Sequence, residues 1–401
     1  MPQKLGRKDR MKLFSLTMLG ALLFPVAAWA VYAPIPEQEQ GKPLTVTVNA
    51  GVSHDSNIFG SATNTIDSMV YTFAPKLAFN ASVTPQSFLS AAYQISFDYF
   101  DNRPTDKLLI SHDVNLRLAH KFSEATNVDL NEEFQVEKNP RSLLAGVPLN
   151  SDQSFTRNQF DGRLPTSLGQ KTSLVFKYRN IYFNYNDAGL SQGLDRMEHL
   201  AGVELSDRFL PDTTLVGEYR YQAIDYAHAG GSKDKTSNFL LAGADYKVGQ
   251  QLTFSGRAGV EDRRRDGDRS TTAPSVSLTC QYAYTENSFV SGGYTYSLEE
   301  TDNPALFTDT RMNRFFINVQ HAVTAMIVAS GSITVEPSTL LGHRGLPNVD
   351  ETATRLGLAL TYVARKNLTF SATFDYDRVK SDAPDRRQDR TRFGLNGRLY
   401  F

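Results

Sequence analysis

The chain has one cysteine, Cys280, in 401 residues, so no intrachain disulfide can staple it. Its seven histidines are scattered and show no zinc-type spacing. Basic residues do not outnumber acidic ones, with 42 Lys and Arg against 43 Asp and Glu. That balance excludes the positive footprint of a nucleic-acid-binding protein. Beyond residue 30 no apolar run approaches the roughly 18–20 residues of a transmembrane helix. Amphipathic helices are missing as well. Residues 190–206 imitate one, but Ala201, Val203 and Leu205 alternate as in a strand. No nucleophile elbow or paired-acid motif is present, so no catalytic residue, metal site or cofactor is expected and the chain does not read as an enzyme.

What is present begins with a leader. Lys4, Arg7, Lys8, Arg10 and Lys12 precede an apolar run from Leu13 to Val26, and Ala28-Trp29-Ala30 fits a small-residue cleavage site. Residues 1–30 read as a secretory signal peptide cleaved after Ala30, with Met11 an alternative start. Removing them takes five basic residues and one acidic one and leaves an acidic chain. Residues 31–43, rich in Pro and polar side chains, read as a periplasmic lead.

From Leu44 to Phe401 the pattern is strands. Leu44, Val46, Val48, Ala50 and Val52 alternate with Thr45, Thr47 and Asn49, and Leu89, Ala91, Tyr93, Ile95, Phe97 and Tyr99 alternate with polar residues. Such a period of two puts one set of side chains on each face of a sheet. Candidate strands are 44–54, 69–82, 88–99, 108–120, 126–138, 155–165, 172–185, 196–207 and 213–226. They continue at 237–248, 251–262, 273–284, 288–299, 310–322, 325–337, 352–364, 367–379 and 390–401. Segments 155–165 and 196–207 are the weakest; without them the count is 16 rather than 18. Short turns such as Glu286-Asn287 and Arg365-Lys366 alternate with long connections such as 55–67, 140–153 and 381–389. With 18 Tyr and 25 Phe available for interfacial girdles, this reads as an all-β, antiparallel transmembrane barrel of 16–18 strands in the bacterial outer membrane. It would have a polar lumen, short periplasmic turns and longer external loops.

The charged parity then faces the lumen, because charges survive inside a bilayer only where they meet water or partners. Expected wall residues are Asp98, Asp129 and Glu133 on the early strands. Later strands supply Arg179, Glu218, Arg220, Arg257, Glu261, Arg314, Arg355, Arg392 and Arg398. Early strands are mainly acidic and later ones hold most of the arginines. Two arrangements follow from this: opposed acidic and basic walls with a transverse field, or local pairing between neighbours. Pro75 predicts a bulge or strand end. The tip Glu299-Glu300-Thr301-Asp302-Asn303 reads as a solvated loop, and 140–153 and 381–389 as the first candidates to fold inward.

The final stretch puts Phe393, Leu395, Leu399 and Phe401 on one face and Arg392, Asn396 and Arg398 on the other. Pairing with the Leu44 strand would close the sheet. The terminal Phe401 resembles the assembly signal that barrel-assembly machinery reads. Expected partners are that machinery, the lipid bilayer and lipopolysaccharide, together with a polysaccharide solute and no nucleic acid.

At Gly51-Val52-Ser53-His54-Asp55-Ser56-Asn57-Ile58-Phe59 the opening strand and its Asp-x-Asn loop resemble the β-barrel porin 2 family, associated with exopolysaccharide loci. The resemblance spans residues 44–401. It implies an outer-membrane channel for polysaccharide or small polar solutes and supplies no catalytic residue. A non-conducting structural or surface-binding barrel is the alternative. Asp55 and Asn57 are open to an Asx-turn role or to ligand contact.

Overall fold

The computed structural model describes residues 43–401 except 139–152, 229–232, 250, 266–269, 302 and 304–305. The signal-peptide reading, most of the periplasmic lead and the 140–153 loop therefore lie essentially outside the described residues. Eighteen strands run in chain order: β1 Leu44–Asp55, β2 Ser68–Thr84, β3 Ser87–Phe100, β4 Leu108–Lys121, β5 Asn127–Glu137, β6 Phe155–Ser167, β7 Thr172–Tyr185, β8 Arg196–Leu210 and β9 Thr213–Tyr226. The second half comprises β10 Lys235–Val248, β11 Leu252–Arg265, β12 Thr271–Thr285, β13 Ser288–Glu299, β14 Phe307–Ala322, β15 Ile327–Gly342, β16 Val349–Arg365, β17 Leu368–Ser381 and β18 Gln388–Tyr400. One short helix, α1 Ala188–Leu194, lies between β7 and β8, with Asp187 capping it through bonds from the Gly189 and Leu190 N–H groups.

Every strand pairs antiparallel with its sequence neighbours, and β1 pairs with β18. That last pairing, from Thr47 against Tyr400 to Asp55 against Arg392, closes the sheet. The barrel has 18 strands; both weak segments, β6 and β8, belong to its wall. Closure leaves no edge strand exposed to other chains. Connections at the end where β1 starts are short, as at Gly249, whose φ of +58° suits a residue without Cβ. The opposite end carries the long connections. Strands of 11 to 17 residues match or exceed the roughly 9–11 residues that a tilted strand needs to cross a bilayer.

The period-two pattern sorts the side chains by face. Phe73, Tyr219, Leu240, Leu358 and Leu395 are large, apolar and exposed, and all lie on one face. This is the face expected to meet lipid. The other face carries the ion pairs. Pro75 produces no bulge. It sits inside β2 opposite Val48 of β1, and the β2–β3 register is the same on both sides of it. Only the local ladder with β3 lapses, as a missing N–H requires.

A compact apolar cluster sits at the loop end rather than in the middle. Ile58 and Phe59, from the first loop, pack with Val70, Phe100 and Leu109, and Ile66 covers them. The Asp55-Ser56-Asn57 motif anchors this plug. The Asn57 N–H donates to Asp55 Oδ1 at 3.0 Å, which is an Asx turn. The fully buried Asn57 amide donates to the carbonyls of Ser61 and Asp389 and accepts from the Ser61 N–H. The motif is structural: it holds the first loop against β18.

Candidate functional site

Two features of the charged face define the site: a ladder of ion pairs along the wall and a cluster at the loop-end mouth. In the ladder each acid meets a base on its own or a nearby strand. Arg117 meets Asp129 at 2.7 Å and Arg157 meets Glu133 at 3.2 Å. Arg179 meets Asp161 at 2.6 Å. Lys177 lies between Glu204 and Glu218, and Arg220 takes the second oxygen of Glu218 at 2.7 Å. Farther round, Arg257 pairs with Asp245 at 2.8 Å, and Glu336 joins Arg314 to Arg355. Arg392 pairs with Asp377 at 2.9 Å. Asp98 accepts from the Thr72 hydroxyl, and Arg398 donates to the Tyr400 hydroxyl at 3.5 Å. These charges are met locally rather than sorted into opposed walls. Low dielectric and close geometry favour this, since a buried charge without a partner is costly.

The mouth cluster is built by a strand tip that leaves the wall. Pairing of β12 with β13 stops at Val276 against Tyr296, although β12 begins five residues earlier at Thr271. The end of β13 follows β14 instead, through Ser297 against Met312 and Glu299 against Thr310. A register shift between Phe307 and Thr310 then displaces Thr308 and Asp309, as a bulge re-aims its side chains.

The displaced residues meet strands β10 and β11. Lys235 Nζ donates to Glu300 at 2.6 Å and to Asp309 at 3.2 Å. Arg263 donates to Asp309 at 2.8 Å, to Glu300 at 3.2 Å and to Glu261 at 2.8 Å. Arg265 also binds Asp309, and the Tyr226 hydroxyl donates to Glu300. Lys235 and Asp309 lie on strands four places apart. At about 4.8 Å per strand that is ~19 Å along the wall, so their contact requires the β13–β14 tip to fold inward across the mouth. Carbonyls freed from the ladder are satisfied there: Leu298 accepts from Arg263 at 2.9 Å, and Thr308 accepts from Lys235 at 3.1 Å and Arg265 at 2.9 Å.

The other side of the tip is held as well. Arg386, from the β17–β18 loop, lies 5.9 Å above the ring of buried Phe307 and donates to both carboxylate oxygens of Glu351 at 3.0 and 3.2 Å. Arg386, in the 381–389 segment that the sequence offered as a candidate to fold inward, thus packs against the base of the tip through Phe307. The 299–303 tip differs from its reading as a solvated loop. Glu300 is folded in because Lys235, Arg263 and the Tyr226 hydroxyl meet its carboxylate. Burial opposes ionisation of Glu300, but the charges of Lys235 and Arg263, with hydrogen bonds from Lys235 and Tyr226, hold its pKa at about 2.

Tyr226, Lys235, Arg263, Arg265, Asp309 and Arg386 were not singled out from sequence, and Glu300 was read only as part of a solvated tip. Arg263 and Arg265 share a parity with Arg257 and Glu261 and extend that series by four residues, which is the one local signal that was readable. The bulge at Asp309 left none. Nearby, an aromatic ledge interrupts the polar wall: Phe155 lies 5.8 Å from Phe183, and Phe183 lies 6.4 Å from Tyr185. The guanidinium of Arg196 sits 4.6 Å over the Phe183 ring. No group of His, Cys, Asp and Glu among the described residues is arranged to hold a metal ion.

A closed barrel with an even strand count, an apolar outer face, a charged inner face and long loops at one end has the architecture of a membrane-spanning β-barrel. Among solved structures it resembles a BenF-like porin from Pseudomonas fluorescens Pf-5, with a TM-score of 0.50 and 10% identity over 89% of this chain and 99% of that one. OpdK from Pseudomonas aeruginosa, solved with vanillate, gives 0.49 and 12% over 89% and 99%. The siderophore receptor PirA from the same species gives 0.45 and 12% over 91% and 81%. The likeness is one of fold: the fold is that of bacterial outer-membrane porins. No protein-family model and no curated protein matches the chain.

Proposed function

We propose that this chain is an outer-membrane channel for polar solutes, narrowed at its outer mouth by the β13–β14 tip. The observation that carries the reading is the tip itself, tethered by Glu300 and Asp309 to Lys235, Arg263 and Arg265 across ~19 Å of wall. A wall of ion pairs favours a hydrated path. A tip folded inward at one end limits what enters it. Asp98, Asp129, Glu133, Arg179, Glu218, Arg220, Arg257, Glu261, Arg314, Arg355, Arg392 and Arg398 are the wall in this reading. Residues 1–30 serve as the export signal cleaved after Ala30. The strand carrying Phe393, Leu395, Leu399 and Phe401 is what the assembly machinery grips, and lipopolysaccharide surrounds the loop end.

Reconstitution of the purified barrel in planar bilayers tests this. Stepwise conductance that rises in Asp309→Ala is the expected result. Zero conductance at all voltages in both proteins overturns it and favours a structural or surface-binding barrel.

The ledge of Phe155, Phe183 and Tyr185 supports a finer reading, passage of saccharides. The flat apolar faces of sugar rings stack on aromatic rings, while neighbouring charged and amide side chains bind their hydroxyls. Liposome swelling with oligosaccharides in wild type and Phe183→Ala checks it; equal rates would argue for small solutes without ring selection.

A further inference from the structure

One row of the lumen wall is short of side-chain volume. Toward the loop end, Glu336 on β15 lies opposite Ala353 on β16, Ala353 opposite Val379 on β17, and Val379 opposite Gln388 on β18. Two residues along, the same three strands β16–β18 carry Arg355, Asp377 and Arg390 in one row. Short apolar side chains between longer polar ones leave a gap, and a pocket of about 20 Å³ lies there. Ala353, Arg355, Asp377, Val379, Gln388 and Arg390 line it from the lumen side. That is room for one small group, with anything attached to it left in the lumen.

Polar atoms around this pocket are left unmet. Asp55 takes one edge of the Arg390 guanidinium, through Nε at 3.0 Å and through Nη2. Nη1 is buried and has no hydrogen-bond partner among the described residues, on a side chain only 4% exposed. Arg392 gives Nη2 to Asp377 at 2.9 Å, and its Nε is buried without a partner. The same holds for the amide oxygen of Gln388. Three successive lumen-facing residues of β18 thus hold buried polar atoms that no described residue meets. Arg263, just as buried at the mouth, has all three of its nitrogens bonded. An unmet donor on a buried cation is costly.

We infer that this pocket binds a small anionic group, either the carboxylate of a solute or a free anion of that size. Such a group accepts a charge-assisted bond from Arg390 Nη1. The acids nearby are already compensated. Asp377 pairs with Arg392, and Glu336 is shared by Arg314 and Arg355. Arg355, with a side chain 44% exposed, adds a cation that an incoming anion meets from the lumen. The Gln388 amide, turned about its terminal torsion, donates from nitrogen instead of presenting oxygen. The donor is fixed before binding: Asp55 holds the Arg390 guanidinium, and the Asn57 amide holds the Asp389 carbonyl beside it at 3.0 Å. The site stands whether or not the lumen conducts.

Titration calorimetry on the mature barrel in detergent tests it, at constant ionic strength with the bulky sulfonate MES as background anion. Formate and lactate are the probes, and glycerol is the neutral control. Formate should give saturable one-site heat, and glycerol none. Ala353→Leu fills the pocket without removing a charge and should weaken formate binding about tenfold or more, while keeping the heat-modifiable gel mobility of a folded barrel. Gln388→Glu sets a carboxylate beside Arg390 and should weaken it likewise, so the test survives a misfolded Leu variant. Lactate bound at the same site assigns a solute carboxylate; formate bound alone assigns a free anion, and either upholds the site. No saturable heat from formate or lactate overturns the inference, as it leaves the pocket to water. So does wild-type affinity for formate in either folded variant.

Discussion

Arg390 donates to both carboxylate oxygens of Asp55, with Nε 3.0 Å from each, although 335 residues separate them in the chain. Both side chains are 4% exposed. The pair sits where the last strand meets the first, directly below the loop held by Asn57. It therefore ties barrel closure to the mouth plug, and the opening motif and the start of the last strand form one buried joint.

Breaking one half of that joint should be costly. Removing a single partner of a buried ion pair typically costs about 3–5 kcal/mol, because the other charge stays behind. Asp55→Ala should therefore lower the temperature at which the folded band shifts in a gel. The double variant with Arg390→Leu should recover part of the loss. Melting followed by circular dichroism checks both, and an Asp55→Ala barrel as stable as wild type would remove the joint from the account.

Tether loss at the mouth has a defined pH window. The folded pKa of Glu300 is about 2 against an ordinary 4.5. A depressed carboxylate stabilises above its ordinary value and loses that contribution as pH falls through the folded one. Conductance should be flat from neutral pH down to about 4.5 and should rise only as pH approaches 2. Glu300→Gln should abolish the acid step and conduct more at pH 7. Single-channel recording across that range decides it.

Arg257 and Arg220 should set ion preference, Arg257 at little cost to the fold, whereas Arg220 supports buried Glu218, which keeps Lys177. Asp245, the partner of Arg257, has a side chain 42% exposed, so solvent screens the pair and its loss should cost no more than about 1 kcal/mol. Arg257→Ala together with Arg220→Ala leaves Asp245 and Glu218 uncompensated by those arginines and should move reversal potentials toward cation selectivity. Unchanged potentials in a salt gradient would count against the wall reading.

Phe401 and Arg398 share the last strand and should differ in effect. The Phe401 N–H donates to the Val46 carbonyl at 2.9 Å, and its ring is 58% exposed on the outer face. Arg398 makes one long bond to Tyr400. Deleting Phe401 should lower outer-membrane levels far more than Arg398→Ala, as immunoblots of fractionated membranes would reveal.

The wall was legible in the sequence because a period of two is a local signal. Leu395 and Arg392 declare their faces from residue spacing alone, and so does closure, once an even strand count places both ends together. Local pairing of the lumen charges was one of two readings, since Arg157 and Glu133 become neighbours only when register is known. The mouth was not legible. Whether Glu300 points to solvent or into a cluster depends on Lys235 and Arg263, 65 and 37 residues away, and on a bulge at Asp309 that no alternation predicts. Asp55 and Asn57 were visible as a motif, but Arg390, the partner of Asp55, was not singled out, because only the closed register brings it to the first strand.

The inward fold of the β13–β14 tip leaves a notch in the wall beside it. From Thr271 to Ser275, β12 keeps its ladder to β11 and pairs with no strand among the described residues on its other side. Backbone groups without partners cannot sit in hydrocarbon, so that length of β12 must stand in water. The notch thus marks the outer limit of the apolar bilayer on this side of the barrel.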